Sequence, residues 1–289
     1  MAYDRCATTL KEQLEVLKKR GLEIENENIA IKALSQIGYF RFKGYCLPYY
    51  EAKDKFIDGI TFNSIYQNYR FDERLRLMIF QIIEHVEVEL KSVISMEFAL
   101  NVSPIGHYDK INFHDSKFHE SWLVNFERLI NQASKRRELY TEHYIKNYEK
   151  TFPIWVVTEI SDFGSLSKFY ANLERQLRNK ISKENYSVSS AYMVSWIYVL
   201  AVIRNTCAHN GRVYDKIFPI QSKWSHAEEY ISKNQAFTAI FICKKICLDK
   251  EYFKTFTKNL KYLVSLYEPY IDIEKIGFPE NWELLLDSE

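Results

Sequence analysis

The chain has 289 residues, 47% hydrophobic and 16% aromatic, with 39 Lys and Arg against 38 Asp and Glu. That length supports a substantial core, that composition excludes a disordered chain, and a net charge of +1 supplies no global field drawing it to nucleic acid or a membrane. Eight glycines and six prolines leave few turn signals, which points to long helices joined by few loops.

Residues 8–20 and 27–36 carry apolar positions at helical spacing, Leu10, Leu14 and Leu17 among them. Between about 38 and 60 the pattern breaks, with Gly38, Gly44, Pro48 and Gly59 set among aromatics. There residues 37–45 interleave aromatics with Arg41 and Lys43. Bases stack on aromatic faces and phosphates meet cations, so the segment suits single-stranded RNA. A tight turn packed with core aromatics is the plainer account. Thr61 is a fair N-cap for a long helix running to about Leu100. Its expected buried stripe is Ile65, Tyr69, Leu75, Ile79, Ile82, Ile83, Val86, Leu90 and Ile94. Residues 101–113 read as loop, and 117–149 return to helical periodicity. Pro153 is placed to open a further helix at its first turn, interrupted or bent near Gly164. A helix from about 188 to 210 follows, with Asn210-Gly211 as its stop signal, then helical segments near 225–248 and 251–268, then an acidic tail. No run of alternating strands, Gly-rich phosphate loop or internal repeat stands out. The expected fold class is all-α.

The most informative stretch closes the helix at 188–210: Arg204-Asn205-Thr206-Cys207-Ala208-His209. A guanidinium is always charged and forks onto phosphate oxygens. An imidazole is the side chain best suited to moving protons near neutral pH. Together they supply a phosphate clamp and a proton shuttle, which RNA cleavage by 2′-hydroxyl attack needs without a metal. At about 100° per residue, Asn205 lies within roughly 40° of His209, while Arg204 lies roughly 140° away and needs its long stem to reach that face. A helix-end His beside a surface Arg is the bland alternative. From Lys168 to Lys223 nine bases face three acids, a local surplus that fits an anionic ligand or an ordinary solvated face. The expected RNA contacts are Arg212, Lys216, Arg175, Arg178 and Lys180, with Arg41 and Lys43 from the aromatic segment.

Other candidate chemistry is weaker. Five scattered cysteines do not form a disulfide framework, the first six residues hold no signal-peptide core, and the apolar run 193–203 is too short for a bilayer. A cytoplasmic protein without a membrane partner is expected. Cys243 and Cys247 stand one helical turn apart, as half of a metal site would, but no second ligand pair at suitable spacing follows. His114 and His119 have poor spacing for two ligands on one helix. Glu84, His85, Glu87 and Glu89 read as a solvated helix face, with His85 and Glu89 able to pair at i, i+4. Residues 163–167 lack the arrangement of a nucleophile elbow. No metal and no cofactor is expected.

Three further blocks accompany the Arg204 to His209 motif. They are Ile37-Gly38-Tyr39-Phe40-Arg41-Phe42-Lys43-Gly44-Tyr45 with Pro48 after it; Tyr69-Arg70-Phe71-Asp72-Glu73-Arg74-Leu75-Arg76 leading into Ile83-Glu84-His85-Val86-Glu87; and Pro153-Ile154-Trp155-Val156-Val157-Thr158-Glu159 with Phe163-Gly164-Ser165-Leu166-Ser167. In this order, over roughly residues 10–215, the chain resembles Abi-like proteins of the AbiD/AbiF abortive-infection type, a bacterial phage-defence family within the HEPN superfamily. The resemblance implies a HEPN-type helical bundle over 1–215 with an N-terminal helical extension. A C-terminal helical segment, 216–289, is expected to pack on the same domain.

The same resemblance implies metal-independent endoribonuclease chemistry at Arg204, Asn205 and His209. One chain holds one motif, and HEPN ribonucleases usually join two copies, so a homodimer is implied. Type VI CRISPR effectors are similar at this motif. A small structured RNA is a further partner that some AbiF-like proteins suggest. HEPN toxins paired with nucleotidyltransferase antitoxins carry a Tyr two residues after the motif His. Gly211 stands there in this chain, and Tyr214 comes three residues too late. The functional expectation is an RNA-cleaving defence protein, latent until triggered. Its rivals are a non-catalytic RNA-binding module and a phage-sensing interaction scaffold.

Overall fold

The computed structural model describes residues 6–288, so the stretch read for a targeting signal falls, up to Arg5, outside the described residues. The chain begins with α1 (Leu10–Lys19), α2 (Glu27–Ile37) and α3 (Tyr39–Cys46). A two-stranded antiparallel hairpin, β1 (Tyr50–Ala52) with β2 (Lys55–Phe56), leads to α4 (Phe62–Asn101). Then come α5 (Ser116–Lys135), α6 (Leu139–Asn147), α7 (Ile154–Ile160), α8 (Phe163–Asn172), α9 (Arg175–Tyr186) and α10 (Ser190–Ala208). The C-terminal part holds α11 (Ala236–Ile246), α12 (Lys250–Tyr267) and α13 (Trp282–Asp287). The fold is all-α apart from the hairpin.

Helix α4 organises the molecule. Its 40 residues rise about 60 Å at the α-helical pitch, and it packs against α3, α7, α9, α10, α11 and α12. Thr61 caps it as the sequence predicts, its side chain accepting from Ser64 N at 3.1 Å. The whole predicted stripe from Ile65 to Ile94 is buried. The buried side chains form two clusters. A small one joins Leu14, Leu17, Leu34, Phe42 and Phe56 to the start of α4. A large one, beginning at Phe71, joins the rest of α4 to α7, α8, α10 and the C-terminal helices. Trp224, Phe237, Leu260 and Trp282 all belong to the large cluster, so the described part of the C-terminal segment, residues 216–288, contributes to the core that carries α10.

Four details differ from the sequence expectation. Residues 39–46 are helical rather than a tight turn: the chain turns at Gly38, at φ +79°, and Gly44 sits inside α3 with open space where a Cβ would be. The periodic run 117–149 is two helices, broken where Arg137 takes φ +58°. Pro153 is the residue before the first turn of α7 and not within it; of the two expectations near Gly164, the interruption holds, with Asp162 capping α8 through Ser165 N at 2.7 Å. The segment 225–248 is helical only over Ala236–Ile246, preceded by a short 3₁₀ turn at His226–Glu228. Helix α10 is also longer than its apolar run. Its 19 residues, with mean hydropathy 1.2, suffice in length and composition for a membrane span, yet one side of it packs against α4, α8, α9 and α11.

Candidate functional site

Helix α10 delivers the motif at its C-terminal end. The helix stops at Ala208; His209 N still donates to Asn205 O at 3.0 Å, and Asn210 then takes φ +56°. Gly211 N returns to Thr206 O at 2.8 Å. A Cβ at 211 would lie 2.8 Å from Thr206 Cγ2 and 3.1 Å from its carbonyl oxygen, so the close return of the chain explains why glycine stands there. The stop predicted at Asn210-Gly211 is where the helix ends.

His209 and Asn205 are exposed, one turn apart on one face. Arg204, half-buried, turns toward that face: its Nη1 donates to Asn205 Oδ1 at 3.3 Å. Behind it, Arg204 Nε lies 3.5 Å from Glu87 Oε2, and the guanidinium sits 5.4 Å from the Phe80 ring centre. Neither Nε nor that buried carboxylate oxygen has a hydrogen-bond partner, so the contact is an ion pair between side chains that retain unused hydrogen-bonding capacity. Glu87 is also held by Lys91 at 3.2 Å. Asn205 thus engages the guanidinium; among the described residues its side chain makes no hydrogen bond to the imidazole. Cys207 lies inside the motif but faces the core. Burial, with the Asp72 carboxylate nearby, pushes its thiol up to about 12, which removes it as a nucleophile at neutral pH.

The loop after the motif is fixed by residues far away in sequence. Asp72, fully buried on α4, accepts Val213 N at 3.0 Å and Tyr214 N at 2.7 Å with one carboxylate oxygen. The other oxygen accepts from the Tyr45 hydroxyl and the Arg76 guanidinium, and Arg76 also donates to the Tyr45 oxygen at 3.1 Å. Every strong group in this cluster is partnered, which is the condition for a buried charge to be tolerated. Two arginines tie α3 to the same loop reciprocally. Arg41 Nη1 donates to Asn210 O at 2.7 Å, and Arg212 Nη1 to Gly44 O at 2.6 Å. Tyr214, buried, accepts Asp272 N at 2.9 Å on its hydroxyl.

The predicted RNA contacts separate into groups. Arg41, Arg212 and Lys216 gather around the motif loop, although Arg41 and Arg212 are committed to backbone carbonyls; Lys43 stands on α3 two residues after Arg41. Lys216 Nζ lies 4.9 Å from the Phe218 ring centre, and burial, then Arg212, lowers its pKa. Phe40, 91% exposed beside Arg41, is an open aromatic face. Arg175, Arg178 and Lys180 are on α9, whose Asn179 accepts from Ser190 at the start of α10, the end opposite to His209. Arg178 donates to Ala171 O at 2.5 Å, and Lys180 bridges Glu97 and Glu184 at 3.0 and 3.1 Å. Arg175, Arg178, Lys183 and Lys223 instead line a separate open hollow of about 460 Å³.

The sequence reading assigns Asp72, Arg76 and Tyr45 no role and puts Glu87 on a solvated face, whereas Glu87 is buried behind Arg204. A signal was present for three of them: Asp72, Arg76 and Glu87 fall on the buried stripe of α4, where a charge is exceptional.

No curated protein and no solved structure matches the chain. A family model described as Abi-like protein matches residues 32–215, a span that runs from α2 past the motif and contains α3, the Asp72 cluster, α7, α8 and α10. The chain belongs to the Abi-like protein family.

Proposed function

We propose that this protein is a phage-defence endoribonuclease of the HEPN type, cutting RNA without a metal at Arg204, Asn205 and His209. The observation that carries the reading is the guanidinium of Arg204 turned onto Asn205, on the exposed face that also bears His209. The substrate 2′-hydroxyl oxygen attacks phosphorus and the 5′-oxygen leaves, producing a 2′,3′-cyclic phosphate. His209 exchanges a proton with the attacking or leaving oxygen. Arg204, preplaced by Glu87, offsets the charge that develops on the phosphorane-like transition state. Asn205 positions the guanidinium.

In-line displacement puts the attacking and leaving oxygens on opposite sides of phosphorus. One imidazole serves one side, so two motif copies, in a homodimer, complete the acid–base set. The exposed side of α10 supports that assembly. Val194, Tyr198, Val202, Asn205 and His209 succeed one another at helical spacing, and Tyr198 is 51% exposed. Only 44% of this apolar helix window is buried, leaving a partly apolar face beside the motif for a second copy to cover. RNA is the substrate class, a small structured RNA fits as a regulatory partner, and the setting is the cytoplasm.

The test is cleavage of end-labelled RNA in EDTA by the wild type and by His209→Ala of equal stability. Metal-independent cutting lost in the variant supports the assignment; equal cutting by both overturns it. A second reading, RNA binding without cleavage, is favoured by the hollow of Arg175, Arg178, Lys183 and Lys223. Salt-sensitive binding by protein triggered in infected extract that leaves RNA uncut would select it.

A further inference from the structure

Two features that look unremarkable in the sequence meet in space. His85 and Glu89 lie one turn apart on α4, and Cys247 closes α11 immediately before α12. One donor atom from each of the three lies within 4.8 Å of the other two. His85 Nε2 is buried without a hydrogen-bond partner, 3.4 Å from Glu89 Oε1. The ring is fixed by parallel stacking on Tyr252, with centres 3.8 Å apart. Glu89 is fixed too, accepting Leu248 N and Asp249 N at 2.9 Å each. Among the described residues no Lys or Arg pairs with this carboxylate, and the imidazole is its one ion-pair-range neighbour. The Cys247 thiol rests on Asp249 O at 3.4 Å.

We propose that His85, Glu89 and Cys247 form a site for a borderline-soft divalent transition metal of the Zn²⁺ class. The donor set of one nitrogen, one oxygen and one sulfur suits that class and disfavours Mg²⁺ and Ca²⁺, which take oxygen. Zinc bonds to N and O are about 2.0–2.2 Å and to S about 2.3 Å, so tetrahedral geometry sets neighbouring donors roughly 3.4–3.6 Å apart. The imidazole and carboxylate already stand at that spacing, and the thiol lies within 4.8 Å of both. Carboxylate oxygens that accept backbone N–H groups retain lone pairs for a metal, and those N–H groups are the outer support that orients it. Three protein ligands leave the fourth position of a tetrahedral zinc to a water. Such a metal would staple the α11–α12 joint, outside the span of the family match, onto α4 within it. The proposal is independent of the ribonuclease reading.

The experiment is metal analysis of the purified full chain, followed by Co²⁺ loading as a spectroscopic probe. One equivalent of zinc is expected, with a thiolate-to-cobalt charge-transfer band and the strong visible absorption of tetrahedral Co²⁺. Both signals should vanish in Cys247→Ser and in His85→Gln, and persist in Cys6→Ser. Zinc should raise the melting temperature of wild type by a few degrees and leave His85→Gln unmoved. His85 is partly exposed, so His85→Gln carries the test if Cys247→Ser fails to fold. Wild type that binds no more Co²⁺ than His85→Gln, or a spectrum lost only in Cys6→Ser, overturns the site.

Discussion

The motif at the end of α10 and the cluster beneath it differ in almost every physical respect. Asn205 and His209 stand in solvent, and Arg204 beside them keeps unused hydrogen-bonding capacity. Asp72, Tyr45 and Arg76, a few residues away in space, are buried and partner one another and the backbone of residues 213–214. Groups meant to meet a substrate must be left accessible and incompletely satisfied; groups meant to hold a loop must be satisfied. The division of labour therefore predicts that chemistry and stability can be broken separately at the first place and only together at the second.

Asp72→Ala should have the largest effect. It strands the Arg76 guanidinium and two backbone N–H groups in the core, and breaking a buried pair by removing one partner costs about 3–5 kcal/mol. Urea unfolding should show that loss, and nuclease activity should fall with it. His209→Ala should leave unfolding within about 0.5 kcal/mol of wild type while cutting falls by at least about 10²-fold; Arg204→Ala should lose cutting as far but also lower stability, because it takes an ion-pair partner from the buried Glu87 carboxylate. A destabilisation in His209→Ala as large as that in Asp72→Ala would erase the distinction between the two places. Arg41→Ala should fall between them, freeing the carbonyl of Asn210. Its effect on cleavage should stay below the roughly 10²-fold cost of a 1 Å misplacement, and steady-state kinetics will separate it from His209→Ala.

The smallest effect at neutral pH concerns a histidine of the opposite kind. Burial, and secondarily His119, lowers the His107 pKa from the ordinary 6.5 to about 3. The unfolded chain therefore takes up a proton below pH 6.5 that the folded chain refuses until about pH 3. Stability is whole above pH 6.5 and is lost as the pH falls toward 3. His107→Phe should flatten that stretch of the stability profile, and an unchanged profile would mean that His107 titrates normally.

Much of this was legible before the structure. Thr61 followed by a regular apolar stripe gives α4 its start and its buried face, because both capping and periodicity are local properties. The motif helix and its stop at Asn210-Gly211 were legible for the same reason. Helix α3 was not, since Gly44 and Pro48 read as breakers, while the turn occurs at Gly38. The charge of Asp72 on an apolar stripe was visible, but its partners Val213 and Tyr214 lie more than 140 residues away. The same distance in sequence hid the meeting of His85 and Glu89 with Cys247. Counting charges between 168 and 223 placed Arg178 and Lys180 in an RNA-binding surface, whereas the fold engages them with Ala171 O, Glu97 and Glu184 at the far end of α10. A charge count carries no information about which cations are already paired.

The most direct measurement uses RNA whose 2′-hydroxyl is replaced by hydrogen only at the mapped cleavage position. The assay is run with EDTA, in phage-infected extract, with wild type and with His209→Ala. The account predicts that wild type cuts the all-ribose strand to a 2′,3′-cyclic phosphate end and leaves the deoxy-substituted strand whole, with His209→Ala cutting neither. Equal cutting of the two strands, or no difference between wild type and His209→Ala on the all-ribose strand, would contradict it.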